Sequence, residues 1–177
     1  MELNKEIIEK IRSIKAILTD VDGVLTDGGI IFDNKGNELK KFNVKDGQII
    51  KHLKKNNYIV GVITGRKSDA VIKRCKELEI PFHKHGINKK IIEYNQFKKL
   101  YNLNDKEIIY IGDDINDLCV LKKCGLAITP ADASSYVKEM ADITTESKGG
   151  KGVLREVADA ILKSNGKLKK IIKNEIS

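Results

Sequence analysis

Short apolar segments alternate with helical segments along almost the whole 177-residue chain, and this alternation constrains the fold more than any other feature. Apolar runs predict strands at residues 14–19, 58–63, 82–84, 107–111 and 126–129, with a very short one at Ile143. The spacing of apolar residues predicts helices at 6–13, 46–55, 68–79, 89–101, 116–123, 134–140 and 152–162. Apolar strands that alternate with helices predict an α/β fold with a doubly wound, mainly parallel sheet that is covered on both faces.

One segment departs from this alternation. Residues 28–33 and 37–43 flank the turn sequence Asn34-Lys35-Gly36, which predicts a protruding β-hairpin at about residues 28–43. No linker-like stretch divides the chain, so we expect a single domain over residues 1–177. The basic segment at about 166–177 is predicted to be a flexible tail.

Two aspartates follow the first predicted strand directly, in the sequence Thr19-Asp20-Val21-Asp22-Gly23. Residues i and i+2 of an extended chain point to the same side, so Asp20 and Asp22 converge where the strand opens into a loop. Each carboxylate disfavours ionisation of the other, and a hard cation such as Mg²⁺ relieves that cost. The pair therefore predicts a metal-assisted reaction at the carboxyl end of a strand.

Polar side chains also follow the other predicted strands, and a parallel sheet would bring them all to one edge. They are Thr64, Gly65 and Arg66 after the second strand, Lys90 after the third, and Asp113, Asp114 and Asp117 after the fourth. Within the last group, Asp114 and Asp117 are expected to support the metal site or Lys90 from a second layer.

Each of the principal residues has a chemical reason to be at this edge. The Asp20 carboxylate can attack a phosphoryl group to form an aspartyl-phosphate. Asp22 can protonate the leaving oxygen and then activate water. Asp113 would complete the metal site, and Thr64 and Lys90 would contact the phosphoryl oxygens. The sequence thus predicts phosphoryl-transfer chemistry.

The formal net charge of +8 fits a small acidic substrate better than a nucleic acid. The lysines are spread over nearly all the predicted helices, and aromatic residues make up only 5%, with no tryptophan to stack on bases. Neither a membrane-spanning stretch nor the apolar core of a signal peptide is evident. We therefore expect a cytoplasmic protein with no nucleic-acid or membrane partner.

The cysteines and histidines give weaker signals. The three cysteines lack metal-ligand spacing such as C-x-x-C, and their odd count argues against a disulfide framework. His83 and His85 alternate along the third strand and so share a face, but a zinc site would need a further ligand that the sequence does not indicate. We predict that these histidines are not catalytic.

The ordered set Asp20-x-Asp22, Thr64, Lys90 and Gly112-Asp113-Asp114-x-x-Asp117 resembles the motifs of the haloacid dehalogenase superfamily of phosphohydrolases. Within it, four segments are similar to the branch of 3-deoxy-D-manno-octulosonate (KDO) 8-phosphate phosphatases. They are DVDGVLTDG at 20–28, FNVKDG at 42–47, ITGRK at 63–67 and GGKGVLREV at 149–157. The resemblance covers residues from about 14 to 166.

The resemblance implies a Rossmann-like fold without a large cap domain and an Mg²⁺-dependent, aspartyl-phosphate mechanism. Asp20 would be the nucleophile and Asp22 the general acid and base, and the metal ligands would be Asp20, Asp113 and the backbone carbonyl of Asp22. The resemblance also implies a homotetramer in which the hairpin packs against other subunits. Its implied substrate contacts are Asp46, Gly47 and Arg66.

The implied reaction removes phosphate from KDO 8-phosphate in lipopolysaccharide precursor synthesis. The alternatives are a phosphatase of a nine-carbon ulosonate 9-phosphate, of the KDN or sialic acid type, and a non-catalytic assembly module of the same fold. Some relatives acting on nine-carbon acids have an acidic residue in place of Arg66, so Arg66 favours the eight-carbon substrate. A phosphorelay receiver domain is disfavoured because its phosphorylated aspartate follows the third strand, where this chain has His83-Lys84-His85.

Overall fold

A computed structural model of the protein describes residues 4–176. The strands in chain order are β1 (Ala16–Thr19), β2 (Ile31–Phe32), β3 (Glu38–Leu39), β4 (Ile59–Ile63), β5 (Phe82–Lys84), β6 (Ile108–Ile111), β7 (Leu126–Thr129) and β8 (Ile143–Thr144). Six of them form a sheet in the order β5-β4-β1-β6-β7-β8, and every neighbouring pair in it is parallel. The predicted doubly wound parallel sheet is confirmed.

Helices cover both faces of this sheet. They are α1 (Lys5–Ser13), α2 (Val44–Lys55), α3 (Asp69–Glu77), α4 (Lys90–Tyr101), α5 (Leu118–Leu121), α6 (Ser135–Met140), α7 (Val153–Ser164) and α8 (Leu168–Ile176). The predicted helix at 116–123 is instead a 3₁₀ turn at Ile115–Asp117 followed by the four residues of α5.

The core has two layers because successive strand residues point to opposite faces. Ile17 of β1 belongs to the core layer that includes residues of α1, α2, α3 and α7, whereas Leu18 belongs to the layer that includes residues of α4, α5 and α6. All four residues of β1 are buried, as expected of a central strand covered on both sides.

The central position of β1 determines where the polar loops lie. Thr19 at its end is in register with Val62 of β4 on one side and with Ile111 of β6 on the other. The segments that follow these three adjacent strands therefore emerge together at the carboxyl edge of the sheet, where ligands bind in open α/β folds.

The hairpin is present but shorter than predicted. Its pairing is limited to Ile31 with Leu39 and Phe32 with Glu38. The Asp33 carboxylate accepts hydrogen bonds from the backbone N–H of Lys35 and that of Asn37, at 2.8 Å each, and so closes the turn. The apolar side chains Ile31, Phe32 and Leu39 are half exposed or more.

The segment beyond Gly166, predicted as a flexible tail, contains helix α8. Leu168 and Ile171 are partly buried against the core layer that includes α7, and this packing holds one face of the helix. Within residues 4–176, no helix is both long enough and apolar enough to cross a membrane.

Candidate active site

The carboxyl edge of the sheet brings three of the predicted site segments side by side. The Asp20 N–H donates to the Ile111 carbonyl at 2.9 Å, and the Gly112 N–H donates to the Ile128 carbonyl at 3.2 Å. On the other side of β1, the Thr64 N–H donates to the Lys84 carbonyl at 2.9 Å. These bonds extend the strand pairing by one residue and fix where the loops begin.

Lys90 lies at the centre of the site, and its side chain has no solvent exposure. Its Nζ atom is 2.9 Å from Asp20 Oδ2 and 2.6 Å from Asp117 Oδ1. Burial alone would lower the pKa of Lys90, but these two carboxylates raise it above its ordinary value. The preceding Lys89 is exposed, so the two adjacent lysines occupy different environments.

Asp117 has all its hydrogen-bonding capacity in use. Its Oδ1 accepts from Lys90 Nζ and from the Tyr110 hydroxyl at 2.5 Å. Its Oδ2 accepts from the backbone N–H of Asp113 at 3.1 Å and that of Asp114 at 3.3 Å. Although Asp117 could join Asp20 and Asp113 in a metal-binding group by distance alone, this bonding assigns it to holding Lys90 and the Asp113 loop in place.

Asp20 and Asp113 each keep one oxygen unpaired. Asp20 Oδ1 and Asp113 Oδ1 are buried and lack a hydrogen-bond partner among the described residues. Burial, with the charge of Asp117, raises the pKa of Asp20 to about 7, and burial, with the charges of Asp20 and Asp117, raises that of Asp113 to about 8. A divalent cation between them would satisfy both oxygens and favour both charges.

Gly23 lets the two acidic loops approach each other. Its φ is +85°, and a Cβ at this position would lie 2.0 Å from Asp113 Oδ2. Gly149 closes the other side of the same loop, since its Cβ would lie 2.2 Å from the Gly23 carbonyl oxygen. A Cβ at Gly23 would therefore displace the Asp113 carboxylate, and a Cβ at Gly149 would displace the backbone of the loop.

Asp22 is part of a charged network with the hairpin. Its Oδ1 accepts a hydrogen bond from Nζ of Lys40, whose side chain is only 1% exposed. Lys40 also lies 3.4 Å from Glu38 Oε1, which accepts a hydrogen bond from Arg66 Nη2 at 2.9 Å. Arg66 Nε is 3.9 Å from Asp22 Oδ2, so two cations adjoin this carboxylate.

The remaining predicted residues divide into two groups. Thr64 is buried at the end of β4, at the same edge as Asp20. Asp46 instead accepts a hydrogen bond from the Arg155 N–H at 2.7 Å at the start of α7, and burial raises its pKa to about 6. A Cβ on Gly47 would lie 2.3 Å from the Arg74 guanidinium. The contacts of Asp46 and Gly47 are thus with α7 and α3, not with the acidic cluster.

Asp114 is exposed and caps the 3₁₀ turn. Its Oδ1 accepts from the Ile115 N–H at 2.8 Å and from the Tyr136 hydroxyl at 2.9 Å. Its role is to hold the turn that carries Asp117.

Sequence reasoning missed Lys40 and Tyr110. Tyr110 lies within the apolar run of a predicted strand, but a buried tyrosine hydroxyl usually has a polar partner, and that partner is Asp117. Lys40 is one of many lysines, and only the fold of the hairpin brings it to Asp22.

The chain is similar to known proteins in both sequence and fold. A family model described as haloacid dehalogenase-like hydrolase matches residues 81–157. The 3-deoxy-D-manno-octulosonate 8-phosphate phosphatase KdsC of Escherichia coli (strain K12) is 38% identical over 166 residues, which are 94% of this chain and 88% of the relative. The chain therefore belongs to the haloacid dehalogenase-like hydrolases and, within them, to the branch of 3-deoxy-D-manno-octulosonate 8-phosphate phosphatases.

Solved structures agree with this assignment. The Moraxella catarrhalis 3-deoxy-D-manno-octulosonate 8-phosphate phosphatase, solved with magnesium, phosphate and KDO, aligns with a TM-score of 0.94 and 34% identity over 97% of this chain and 99% of its own. The cobalt-bound Haemophilus influenzae phosphatase aligns with a TM-score of 0.86 and 38% identity over 90% of this chain and 93% of its own.

Proposed function

We propose that this protein is an Mg²⁺-dependent phosphomonoesterase that removes the phosphate of KDO 8-phosphate through an aspartyl-phosphate. The printed name of the Escherichia coli relative supports the substrate, and the magnesium, phosphate and KDO bound by the Moraxella catarrhalis relative support the metal and the sugar class. The observation that carries the proposal is the pair of buried, unpartnered oxygens on Asp20 and Asp113 beside a buried lysine.

These residues fit a hard divalent cation. Asp20 and Asp113 would each supply a carboxylate oxygen, and the Asp22 backbone carbonyl would supply a third protein ligand. When bound, Mg²⁺ would neutralise charge on the phosphoryl oxygens. Asp117 stays outside the ligand set in this proposal because its four hydrogen bonds occupy both its oxygens.

The chain's own residues have distinct roles in the proposed reaction. The Asp20 carboxylate attacks phosphorus, so that an Asp20–phosphorus bond forms as the bond to the sugar oxygen breaks. Asp22 gives its proton to that leaving oxygen and then takes one from the water that hydrolyses the aspartyl-phosphate. Water attack releases inorganic phosphate and regenerates Asp20.

Lys90 and Thr64 would hold the phosphoryl group during both steps. An ammonium group has three N–H donors, and two of those of Lys90 are directed at Asp20 and Asp117. The third would remain for a phosphoryl oxygen. Thr64 lies at the end of the neighbouring strand and would donate its hydroxyl.

Arg66 is the best placed residue for recognising the acidic sugar. Its side chain is 47% exposed at the edge of the site, and its guanidinium can bind two carboxylate oxygens at once. Its Nη2 donates a hydrogen bond to Glu38 Oε1 of the hairpin. We also propose Asp46 and Gly47 as substrate-binding residues. Because their contacts are with α7 and α3, they would act by shaping the protein surface beside Arg66.

A substrate panel tests the proposal. Phosphate release from KDO 8-phosphate and from a nine-carbon ulosonate 9-phosphate would be measured with Mg²⁺ and with a chelator. We expect Mg²⁺-dependent turnover with a preference for the eight-carbon substrate, and we expect Asp20→Asn to fold normally without turnover. Preference for the nine-carbon ester would overturn the substrate assignment, and an active Asp20→Asn would overturn the nucleophile.

We also infer a homotetramer in which the hairpin contacts other subunits. The support is the exposed apolar surface of Ile31, Phe32 and Leu39, on a two-stranded ribbon too small to be stable alone. Light scattering on the purified chain tests this state. We expect Phe32→Glu to yield smaller species, while the remote exposed substitution Leu100→Glu leaves the tetramer intact.

A further inference from the structure

A second group of potential metal ligands lies away from the acidic cluster, between α3 and the edge strand β5. Cys75 of α3, His83 of β5 and His85 just after it each have a ligand atom within 4.8 Å of the other two. The imidazoles are in direct contact, with His83 Nδ1 at 2.8 Å from His85 Nε2. The fold thus brings a third ligand, from helix α3, to the histidine pair of the edge strand.

We propose that Cys75, His83 and His85 form a zinc site distinct from the proposed magnesium site. One thiolate and two imidazoles are the ligands that Zn²⁺ prefers, whereas Mg²⁺ prefers oxygen. In a tetrahedral site, bonds of about 2.0–2.3 Å place the ligand atoms roughly 3.3–3.6 Å apart, so the group needs to open or close by about an ångström or less. Three protein ligands leave the fourth position to water.

The surroundings of the group favour a bound zinc ion over a histidine pair that is held only by its own hydrogen bond. His85 Nδ1 is buried and has no hydrogen-bond partner among the described residues, so the histidine pair does not satisfy itself. Burial lowers the pKa of both histidines, and the neutral imidazole is the form that binds a metal ion. Both are only half-buried, so an ion can reach them from solvent.

The positive charge around the group favours a cation that is bound by a thiolate. Lys76 and Lys84 place positive charge near His83. A zinc ion displaces the proton of the Cys75 thiol, and the resulting thiolate offsets part of the positive field. A hard cation that does not bind sulfur gains no such compensation.

The position of the group connects it to the active-site edge. Directly after His85, the Gly86 N–H donates to the Arg66 carbonyl at 3.3 Å and the Ile87 N–H donates to the Thr64 carbonyl at 3.1 Å. Zinc at this point would join α3 to β5 and brace the loop that carries Thr64 and Arg66. We therefore expect the ion to stabilise the fold and not to take part in the chemistry.

Metal titration of the full chain, stripped with a chelator and then kept in excess Mg²⁺, tests the site. Co²⁺ serves as the spectroscopic probe, because cobalt–thiolate bonding gives charge-transfer absorption that carboxylate ligands do not give. We expect one equivalent of Zn²⁺ or Co²⁺ to bind with that absorption, and we expect Zn²⁺ at about 100 times its Kd to raise Tm by about 5–10 °C.

Variants identify the ligands. Cys75→Ser should abolish the absorption and weaken Zn²⁺ binding at least about tenfold, whereas Cys119→Ser, which changes an exposed cysteine, should leave both unchanged. His83→Gln is a second test at a half-buried position, should Cys75→Ser fail to fold. Absence of thiolate absorption in the wild-type chain, or equal zinc affinity in the wild type and in His83→Gln, would overturn the proposal.

Discussion

Replacing Lys90 by methionine should have a large effect on stability as well as on turnover, because this ammonium group is the sole side-chain cation within 4 Å of both Asp20 and Asp117 among the described residues. Methionine keeps most of the volume and removes the charge. Removing one partner of a buried ion pair costs about 3–5 kcal/mol, and partial protonation of Asp20 places the expected loss at about 3 kcal/mol. For a chain of this size, that corresponds to a decrease in Tm of about 6–12 °C.

If the loss of stability in Lys90→Met arises from charge, its size should depend on pH. Without Lys90, Asp20 is harder to ionise, so the loss of stability should be greatest near pH 8 and should shrink near pH 5, where Asp20 is protonated. Urea unfolding in a chelator measures the free energy of unfolding at both pH values. Phosphate release with Mg²⁺ should fall about 10²–10³-fold in kcat.

The adjacent lysine provides a matched control. Lys89 is exposed, so Lys89→Met should change the free energy of unfolding by no more than about 0.5 kcal/mol and should leave kcat close to wild type. Similar losses in the two variants, or a Lys90→Met loss that does not depend on pH, would refute the reasoning.

Three other predictions follow from the contacts of the acidic cluster. Gly23→Ala should raise the Mg²⁺ concentration for half-maximal activity at least about tenfold, because its Cβ would lie 2.0 Å from Asp113 Oδ2. Since the pKa values of Asp20 and Asp113 are raised to about 7 and about 8 from 3.8, metal-free stability should fall as pH rises from about 4 to 8, and Mg²⁺ should raise Tm more at pH 8 than at pH 5. Tyr110→Phe should lower the free energy of unfolding by about 2 kcal/mol in urea titrations, because it removes the 2.5 Å hydrogen bond to the charged Asp117.

Each of the three predictions can be contradicted by a specific measurement. Gly36 also has a positive φ, of +81°, but a Cβ there meets nothing within 4 Å, so Gly36→Ala separates backbone strain from the contact with Asp113. Equal Mg²⁺ requirements in the two glycine variants would contradict the contact argument. An Mg²⁺-induced Tm shift that is the same at both pH values would contradict the pKa argument, and a Tyr110→Phe loss below about 0.5 kcal/mol would contradict the hydrogen bond.

The sheet was predictable because its strands are short apolar runs with a polar residue at the end. The run before Asp20 shows this pattern, and it becomes the central strand β1 with all four residues buried. The position of Lys90 at the start of α4 follows from the same alternation. Parallel pairing then requires these ends to meet at one edge, so local sequence together with topology predicts the cluster.

Helix α8 lies within the segment predicted as a flexible tail, and the sequence contains a signal for this helix. Leu168, Ile171, Ile172 and Ile176 follow helical spacing, which is the pattern of an amphipathic helix. Leu168 and Ile171 lie on the face that packs against the core, and this packing accounts for the helix.

Contacts between elements distant in the sequence could not be predicted in the same way. The ion pair of Lys40 with Asp22 depends on the direction in which the hairpin leaves the sheet. The approach of Cys75 to His83 and His85 depends on how α3 crosses the edge strand. In both cases the residue types alone indicate no role. The role depends on a partner residue that comes close only when the helix or the hairpin packs on the sheet. Residue type at a strand end therefore predicts the chemistry, whereas the groups that hold or modulate that chemistry have to be found in the fold.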